Sequence, residues 1–293
     1  MGSITPTKDK VVLQVSKDCS GSRLDSFLAR EAGLGSLRLV RGRWGDLQVR
    51  VNRFKGAKGQ RLNADDLVSY CPLQRTDTEQ RPARELQAQV QVVARSNEYL
   101  ALFKPAGMHT QSPGLRGEPG LEDMLGDILP AQTPLLLNRL DRDTSGLILL
   151  AADTRARKRY QEFQEQGKAE KRYLALVQGR ITGELCLQQP LDTAHRRKVQ
   201  VLEGRAKALR WTYVQPLACL PGAGLSLVRI IIQKGARHQI RAHLAYCGHP
   251  VHGDQLYAGK TLACRLFLHH YYVSLPGFQA SCLPGWRLQE KNK

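Results

Sequence analysis

Long uncharged stretches are missing from this chain of 293 residues, and no run approaches the roughly 18 apolar residues of a membrane-spanning helix. The opening MGSITPTKDK has no apolar core, which does not fit a secretory signal. The seven cysteines are scattered and include no Cys-x-x-Cys pair, so the spacing of a zinc ribbon is absent. We therefore expect a cytoplasmic protein with reduced thiols and no association with a membrane.

Acidic residues are also scarce. The chain has 26 Asp and Glu against 44 Lys and Arg, which gives a formal net charge of +18. A surplus of this size suggests a polyanionic partner, although a basic surface that serves only solubility is the plain alternative. Residues 1–75 hold 14 basic and seven acidic residues, so the excess is spread over both parts of the chain. Either part could therefore face the same polyanion.

Residues 11–72 have the pattern of a small αβ unit. VVLQVS at the start alternates as a strand does, and LQVRVN at 47–52 alternates again. Between them, Leu24, Phe27 and Leu28 have helical spacing. The pattern alone is also compatible with a generic αβ cap.

This segment resembles the small RNA-binding module first seen in a ribosomal small-subunit protein. The match consists of RLDSFLA, an arginine-bearing helix, a Val-x-Val-Asn strand and a late acidic turn. The family usually has Asn-Gly where this chain has Asn52-Arg53, and Gly-Asp where it has Asp65-Asp66. The resemblance implies that residues 11–72 bind RNA.

Residues 73–88 are polar, contain two prolines and show no apolar period, which is typical of a linker. Beyond it, strand-like runs mix with helical stretches such as 154–167, without a βαβ repeat. For residues 89–293 we predict an α+β domain. Its mixed, largely antiparallel central sheet would have flanking helices and a catalytic cleft.

The densest chemical signal is LNRLDRDTSGLILL, residues 137–150. A charged turn enters an apolar strand, and the carboxylate of Asp141 lies among arginines that favour its ionised form. Such a carboxylate can act as a nucleophile or general base, whereas an arbitrary aspartate would more often cap a turn.

The string resembles the central motif of the RluA family of pseudouridine synthases, His-Arg-Leu-Asp-x-x-Thr-Ser-Gly-Leu. The resemblance places the family's catalytic aspartate at Asp141. It places at Arg139 the arginine thought to enter the RNA helix where the target uridine leaves it. The family's histidine is Asn138 here, which keeps a donor and an acceptor but does not titrate.

Three further matches follow the family's order. Lys104-Pro105-Ala106-Gly107 resembles its Lys-Pro-x-Gly turn, and EKRYLALVQG resembles an element whose tyrosine, here Tyr173, stacks on the target base. GARHQIRAHL resembles the element whose basic residue, here Arg241, pairs with the catalytic aspartate. Ala236 stands where the family has an arginine, and Arg237 fills the variable position beside it.

The resemblance, over about residues 90–276, implies an isomerase that breaks the C–N glycosidic bond of uridine in ribosomal or transfer RNA and re-forms it as C–C. It implies no cofactor and no metal, and the chain has no Gly-x-Gly-x-x-Gly fingerprint. We expect a monomer that binds RNA, with large-subunit ribosomal RNA slightly favoured. A non-catalytic RNA-binding protein with the same fold and a basic hydrolase or nuclease stay open. The predicted RNA contacts are Lys104, Lys171, Arg142, Arg237, His238, Arg23, Arg38 and Arg41.

Overall fold

The computed structural model divides the chain into two compact units, residues 1–87 with 109–132 and residues 88–108 with 133–293. It describes residues 10–32, 34, 37–42, 44–71, 85–112, 120–129, 133–194, 198–259, 263 and 265–286.

The first unit contains a four-stranded antiparallel sheet in the order β1-β4-β2-β3. Its strands are β1 (Val11–Gln14), β2 (Arg50–Val51), β3 (Phe54–Lys55) and β4 (Leu67–Tyr70). Its helices are α1 (Leu24–Arg30), α2 (Leu37–Gly42), α3 (Trp44–Leu47) and α4 (Leu121–Ile128).

A hydrophobic core joins α1 to one face of this sheet. Leu24, Phe27 and Leu28 are buried together with Val51 and Val68 of the strands. The helical spacing read from the sequence is therefore the buried face of α1. The strand predicted over 47–52 is wrong in its extent, because α3 ends at Leu47 and only Arg50–Val51 pairs with neighbouring strands.

The second unit is built on a ten-stranded sheet whose main path runs β10-β13-β14-β9-β15-β8-β6-β5, with β16 beside β15 and β7 beside β8. Its strands are β5 (Gln91–Arg95), β6 (Tyr99–Lys104), β7 (Leu135–Leu136), β8 (Ser145–Ala151), β9 (Glu170–Gln178), β10 (Leu185–Leu187), β13 (Thr212–Leu220), β14 (Leu225–Ile232), β15 (Leu268–Leu275) and β16 (Phe278–Ser281). A separate pair is formed by β11 (Leu191–Asp192) and β12 (Gln200–Val201). The helices are α5 (Thr154–Glu165) and α6 (Gln239–Tyr246).

Among the described strands of this sheet, β8 and β15 pair in parallel and the other pairings are antiparallel. Every residue of β8 is buried, which explains why its sequence is a continuous apolar run rather than an alternation. The α+β class and the largely antiparallel sheet predicted from the sequence are confirmed. Residues 73–84 of the predicted linker lie outside the described residues, and 85–88 form one helical turn.

Within the part of the chain that the structure describes, no helix is both long and apolar enough to cross a membrane.

Candidate active site

The loop that carries Asp141 is fastened to the strand that follows it. The Asn138 side chain donates from Nδ2 to the carbonyl of Leu147 (3.2 Å) and accepts at Oδ1 from the amide of Leu149 (2.6 Å). The amide of Thr144 donates to the carbonyl of Asp141 (3.2 Å), which closes the turn. Asn138 therefore shapes the loop through two neutral hydrogen bonds, and the titrating histidine of the related motif is not needed for that task.

Arg241, from α6, meets this loop. Its Nη1 donates to Oδ2 of Asp141 over 2.7 Å, so the contact expected between these two residues is present. Both side chains are mostly buried, with 12% and 24% of their surfaces exposed. An ion pair of this kind fixes the orientation of the carboxylate.

A second carboxylate, Asp254, holds the other side of the same guanidinium. Arg241 donates to it from Nε (2.7 Å) and Nη2 (2.9 Å), and Asp254 is fully buried. Asp254 also accepts from the amides of Leu256 and Tyr257, so it is fixed by its own turn. Burial alone would lower the pKa of Arg241, but its bonds to Asp254 and Asp141 raise it above the usual value. Arg241 is therefore a permanent cation whose Nη1 is aimed at Asp141.

His238 also lies beside Asp141. Its backbone is left-handed (φ 52°), and its Nε2 lies 3.8 Å from Oδ2 of Asp141. Its Nδ1 is 3.1 Å from the hydroxyl of Tyr257, which also bonds to the backbone of Val199. Burial lowers the pKa of His238 against the opposing effect of Asp141. Nε2 of His238 thus faces the carboxylate of Asp141, while Nδ1 shares a hydrogen bond with the Tyr257 hydroxyl.

Tyr173, on β9, is buried and stacks on His270 of β15 with ring centroids 4.5 Å apart. Burial raises the pKa of the Tyr173 hydroxyl, and the charge of Asp141 adds to the effect, so the two groups are in electrostatic reach. Burial also lowers the pKa of His270 to about 3, which keeps the stacked ring neutral. One face of the tyrosine ring is thus occupied by His270, and a base would have to use the other face.

The second unit thus brings Asp141 together with Arg241, Asp254 and His238, which lie far along the chain from it. A family model described as RNA pseudouridylate synthase matches residues 98–246, just over half of the chain. The chain belongs to this family. It is therefore an isomerase that converts uridine in RNA to pseudouridine.

Relatives of this synthase align with it along most of their own length. The ribosomal large subunit pseudouridine synthase C of Pasteurella multocida (strain Pm70) is 28% identical over 284 residues, covering 89% of this chain and 85% of its own. The protein of the same name from Escherichia coli (strain K12) is 28% identical over 292 residues, covering 90% and 88%. The solved human RNA Pseudouridylate Synthase Domain Containing 1 shares the fold, with a TM-score of 0.55 and 22% identity over 72% of this chain and 86% of its own.

Lys104 has a different position in the synthase from the one predicted for it. The side chain is fully buried, and its Nζ donates to the carbonyls of Pro105 (2.9 Å), Met108 (2.7 Å) and Arg142 (3.1 Å). The amide of Gly107 donates to the same Arg142 carbonyl (2.9 Å). The turn at 104–107 thus supports the Asp141 loop from inside, and these bonds argue against a contact between Lys104 and an RNA phosphate.

We expect Lys104→Met to leave RNA affinity unchanged and to lower the free energy of unfolding by about 2 kcal/mol, because buried carbonyls lose their donor. Burial lowers the pKa of Lys104 to about 7, against 10.5 in an unfolded chain. The unfolded chain therefore binds the extra proton between these values, and stability that depends on Lys104 increases as pH rises from about 7 towards about 10.

Urea unfolding of both proteins at several pH values, with RNA binding measured in parallel, checks this prediction. The gap in stability between the wild type and Lys104→Met should widen over that pH range. Weaker RNA binding by a folded Lys104→Met, with no change in stability, would restore the surface role.

The remaining predicted RNA contacts in this unit differ in accessibility. Lys171 is buried and donates to the carbonyl of Gln233 (3.2 Å), and burial lowers its pKa to about 8, so its position also argues against a phosphate contact. Arg139 and Arg142 are exposed on the Asp141 loop. Arg237 donates from Nη2 to the carbonyl of Thr193 (3.1 Å), and His238 is largely buried beside Asp141. The two loop arginines are therefore the better placed of these groups for RNA.

In the first unit, Arg23 and Arg41 are held by a carboxylate that the sequence reasoning did not single out. Asp25 is fully buried and accepts from Arg23 Nη2 (3.1 Å) and Arg41 Nε (2.7 Å), while both arginine side chains stay nearly half exposed. Burial alone would raise the pKa of Asp25, but these hydrogen bonds outweigh it and lower the pKa. The backbone of Arg38 is part of α2, and its side chain lies outside the described residues.

Asp254 and Tyr257 are further residues whose roles the sequence did not reveal. Both stand in the stretch Gly253-Asp254-x-x-Tyr257, but nothing in the string says which arginine Asp254 holds. Among the described residues, no three His, Cys, Asp or Glu side chains form a group that could hold a metal ion.

Proposed function

We propose that this synthase isomerises uridine in large-subunit ribosomal RNA and that Asp141 is its catalytic carboxylate. The observation that carries the proposal is the Arg241 clamp, in which one guanidinium bonds to buried Asp254 and presents Nη1 to Asp141. The ribosomal substrate is supported by the names of the relatives, which span most of this chain. Such an enzyme would work as a monomer in the cytoplasm, where ribosomes are assembled.

In this proposal, Asp141 acts on the target nucleotide through the oxygen that Arg241 leaves open. Among the described residues, Oδ1 of Asp141 accepts no hydrogen bond, whereas Oδ2 is held by Arg241. The fixed guanidinium of Arg241 stabilises the carboxylate of Asp141 before the reaction and again when the free carboxylate is regenerated at its end. The target base must leave its stack to be rotated. We assign its support to the face of Tyr173 turned away from His270, and we assign Arg139 to fill the gap left in the RNA.

We further assign residues 11–72 to an RNA-binding domain that adds affinity without chemistry and is joined through 73–88 to the catalytic domain, 89–293. Arg23 and Arg41 would contact phosphates, because Asp25 fixes both while leaving them partly exposed. A truncated chain that lacks this segment should bind RNA more weakly but still convert a short substrate at high concentration.

The purified full chain, given transcripts of large-subunit ribosomal RNA without any added metal or cofactor, should form pseudouridine at one or a few positions. Pseudouridine can be mapped by chemical labelling and reverse-transcription stops, with transfer RNA transcripts under the same conditions as the comparison. Conversion of transfer RNA alone would overturn the ribosomal assignment. Tight RNA binding with no conversion of any RNA would favour the non-catalytic RNA-binding protein.

A further inference from the structure

The hairpin between β2 and β3 contains a residue in an unfavourable backbone conformation. Val51 pairs with Phe54, so Asn52 and Arg53 form a two-residue turn, and their φ angles are 48° and 78°. Turns of this kind prefer Asn followed by Gly, because both central residues need positive φ. Asn52 fits the preference, whereas the Cβ of Arg53 makes this conformation costly. Arginine thus stands at a position where glycine would be more stable.

The side chain of Asn52 locks this turn in place. It donates from Nδ2 to Asp66 Oδ1 (2.6 Å) and accepts at Oδ1 from the amide of Leu67 (2.8 Å). Asp66 also accepts from the amide of Asn63 (2.8 Å), so its carboxylate is used inside the turn region. These bonds hold the backbone of Arg53 at positive φ, against the intrinsic preference of a residue with a Cβ. The position of the Arg53 side chain is thereby set by the fold. A strained residue held by its surroundings is a reason to ask what its side chain does.

Arg53 lines a groove of about 410 Å³ on the face of the four-stranded sheet opposite the α1 core. The pairings of Val12 with Ser69 and of Arg50 with Ser69 place these residues on one face of the pleated sheet. Lys10 and Arg50 add two more cations to the groove, and no carboxylate is among the described residues that line it.

Two aliphatic side chains on this face are at least half exposed. Val12 keeps 57% and Leu67 keeps 50% of its surface accessible, and both line the groove between the cations. A face that served only solubility would not need apolar residues at these positions. The groove therefore combines an apolar floor with a positively charged margin.

We propose that this groove, lined by Lys10, Val12, Arg50, Arg53 and Leu67, binds a single-stranded segment of RNA. Phosphates would pair with the three cations, and riboses or bases would cover the two aliphatic side chains. The groove lies on the other side of the sheet from α1, so it is a second surface beside the one assigned to Arg23 and Arg41. The described residues of its lining include no aromatic ring and few groups that could read base edges, so binding should be independent of sequence. The inference rests on the proposed action on RNA.

The decisive variant is Arg53→Gly, because stability and binding should change in opposite directions. Relief of the strained turn should raise Tm by about 2–4 °C. Loss of one phosphate contact should weaken binding of a short oligouridine about 3- to 10-fold and make its dependence on salt shallower by about one contact. Arg53→Lys, which keeps the charge and the strain, should bind the oligouridine close to the wild type.

Lys17→Gln is the matched control, because Lys17 is an exposed cation of the same unit that does not line the groove. It should lose little affinity. A second groove variant, Leu67→Asp, places a carboxylate at a half-exposed position and should weaken oligouridine binding at least as much as Arg53→Gly. Oligouridine affinity equal to the wild type in both groove variants, or an equal loss in Lys17→Gln, would overturn the proposal.

Conversion of ribosomal RNA separates this proposal from the one on which it rests. Lys17→Gln, which lies outside the groove, should form pseudouridine from ribosomal RNA at the wild-type rate. If the wild type converts no RNA, the proposed function fails, whatever the binding results. If conversion is normal and oligouridine binding is unchanged in the variants, only the groove assignment fails.

Discussion

Asp141→Asn is expected to remove pseudouridine formation, with a rate loss of about 10³-fold or more, while the protein binds RNA within about twofold of the wild type. The amide has nearly the shape of the carboxylate and can still accept from Arg241, so the clamp should persist. What it lacks is the negative charge and the nucleophilic or basic oxygen at Oδ1. RNA affinity comes from many cations spread over a chain of net charge +18, and one neutral substitution changes little of it.

The matched control is Asp143→Asn, two residues along the same loop. That carboxylate is 61% exposed and lies 3.7 Å from the Arg142 guanidinium, so its removal alters the charge of the loop without touching the Arg241 clamp. It should keep a rate within a few-fold of the wild type. Single-turnover conversion of a ribosomal RNA transcript, with binding measured on the same transcript, compares the two variants. A wild-type rate in folded Asp141→Asn would refute the catalytic assignment.

The sequence predicted the elements around this site well, because each has a strong local signal. The apolar run of β8 and the charged turn before it mark the Asp141 loop, and the family motifs name the residues that meet there. The α+β class followed from the mixture of strands and helices without a βαβ repeat. These are properties of short stretches of sequence.

The burial of Lys104 and Lys171 was harder to predict, because it depends on residues distant in sequence. Lys104 reaches the carbonyl of Arg142, 38 residues away, and nothing local shows that this acceptor is within its reach. For Lys171 a signal was available, since alternate residues of β9 are buried and Lys171 shares a face with Tyr173. Arg241 lies on α6 and Asp254 lies beyond the end of that helix, so only the folded chain reveals the bond between them.

Gly146→Ala should have the largest effect on stability, because this glycine lies where β8 pairs in parallel with β15. Its φ is 119°, a conformation that residues with a Cβ rarely adopt. A Cβ built there would lie 2.2 Å from the carbonyl oxygen and 2.6 Å from the amide nitrogen of His270, and these backbone atoms belong to a buried strand. Neither can move without breaking the pairing on which the sheet depends.

We therefore expect Gly146→Ala to lower the free energy of unfolding by about 4 kcal/mol or more, a large part of the stability of an ordinary domain. Activity should fall with it, because Gly146 is the second residue of the strand that anchors the Asp141 loop. Gly183→Ala is the control in the same unit, since its Cβ would meet no atom within 4 Å and should leave stability within about 0.5 kcal/mol. Urea unfolding followed by circular dichroism measures both. Unfolding of the two variants at the same urea concentration would contradict the close approach of β8 and β15 at Gly146.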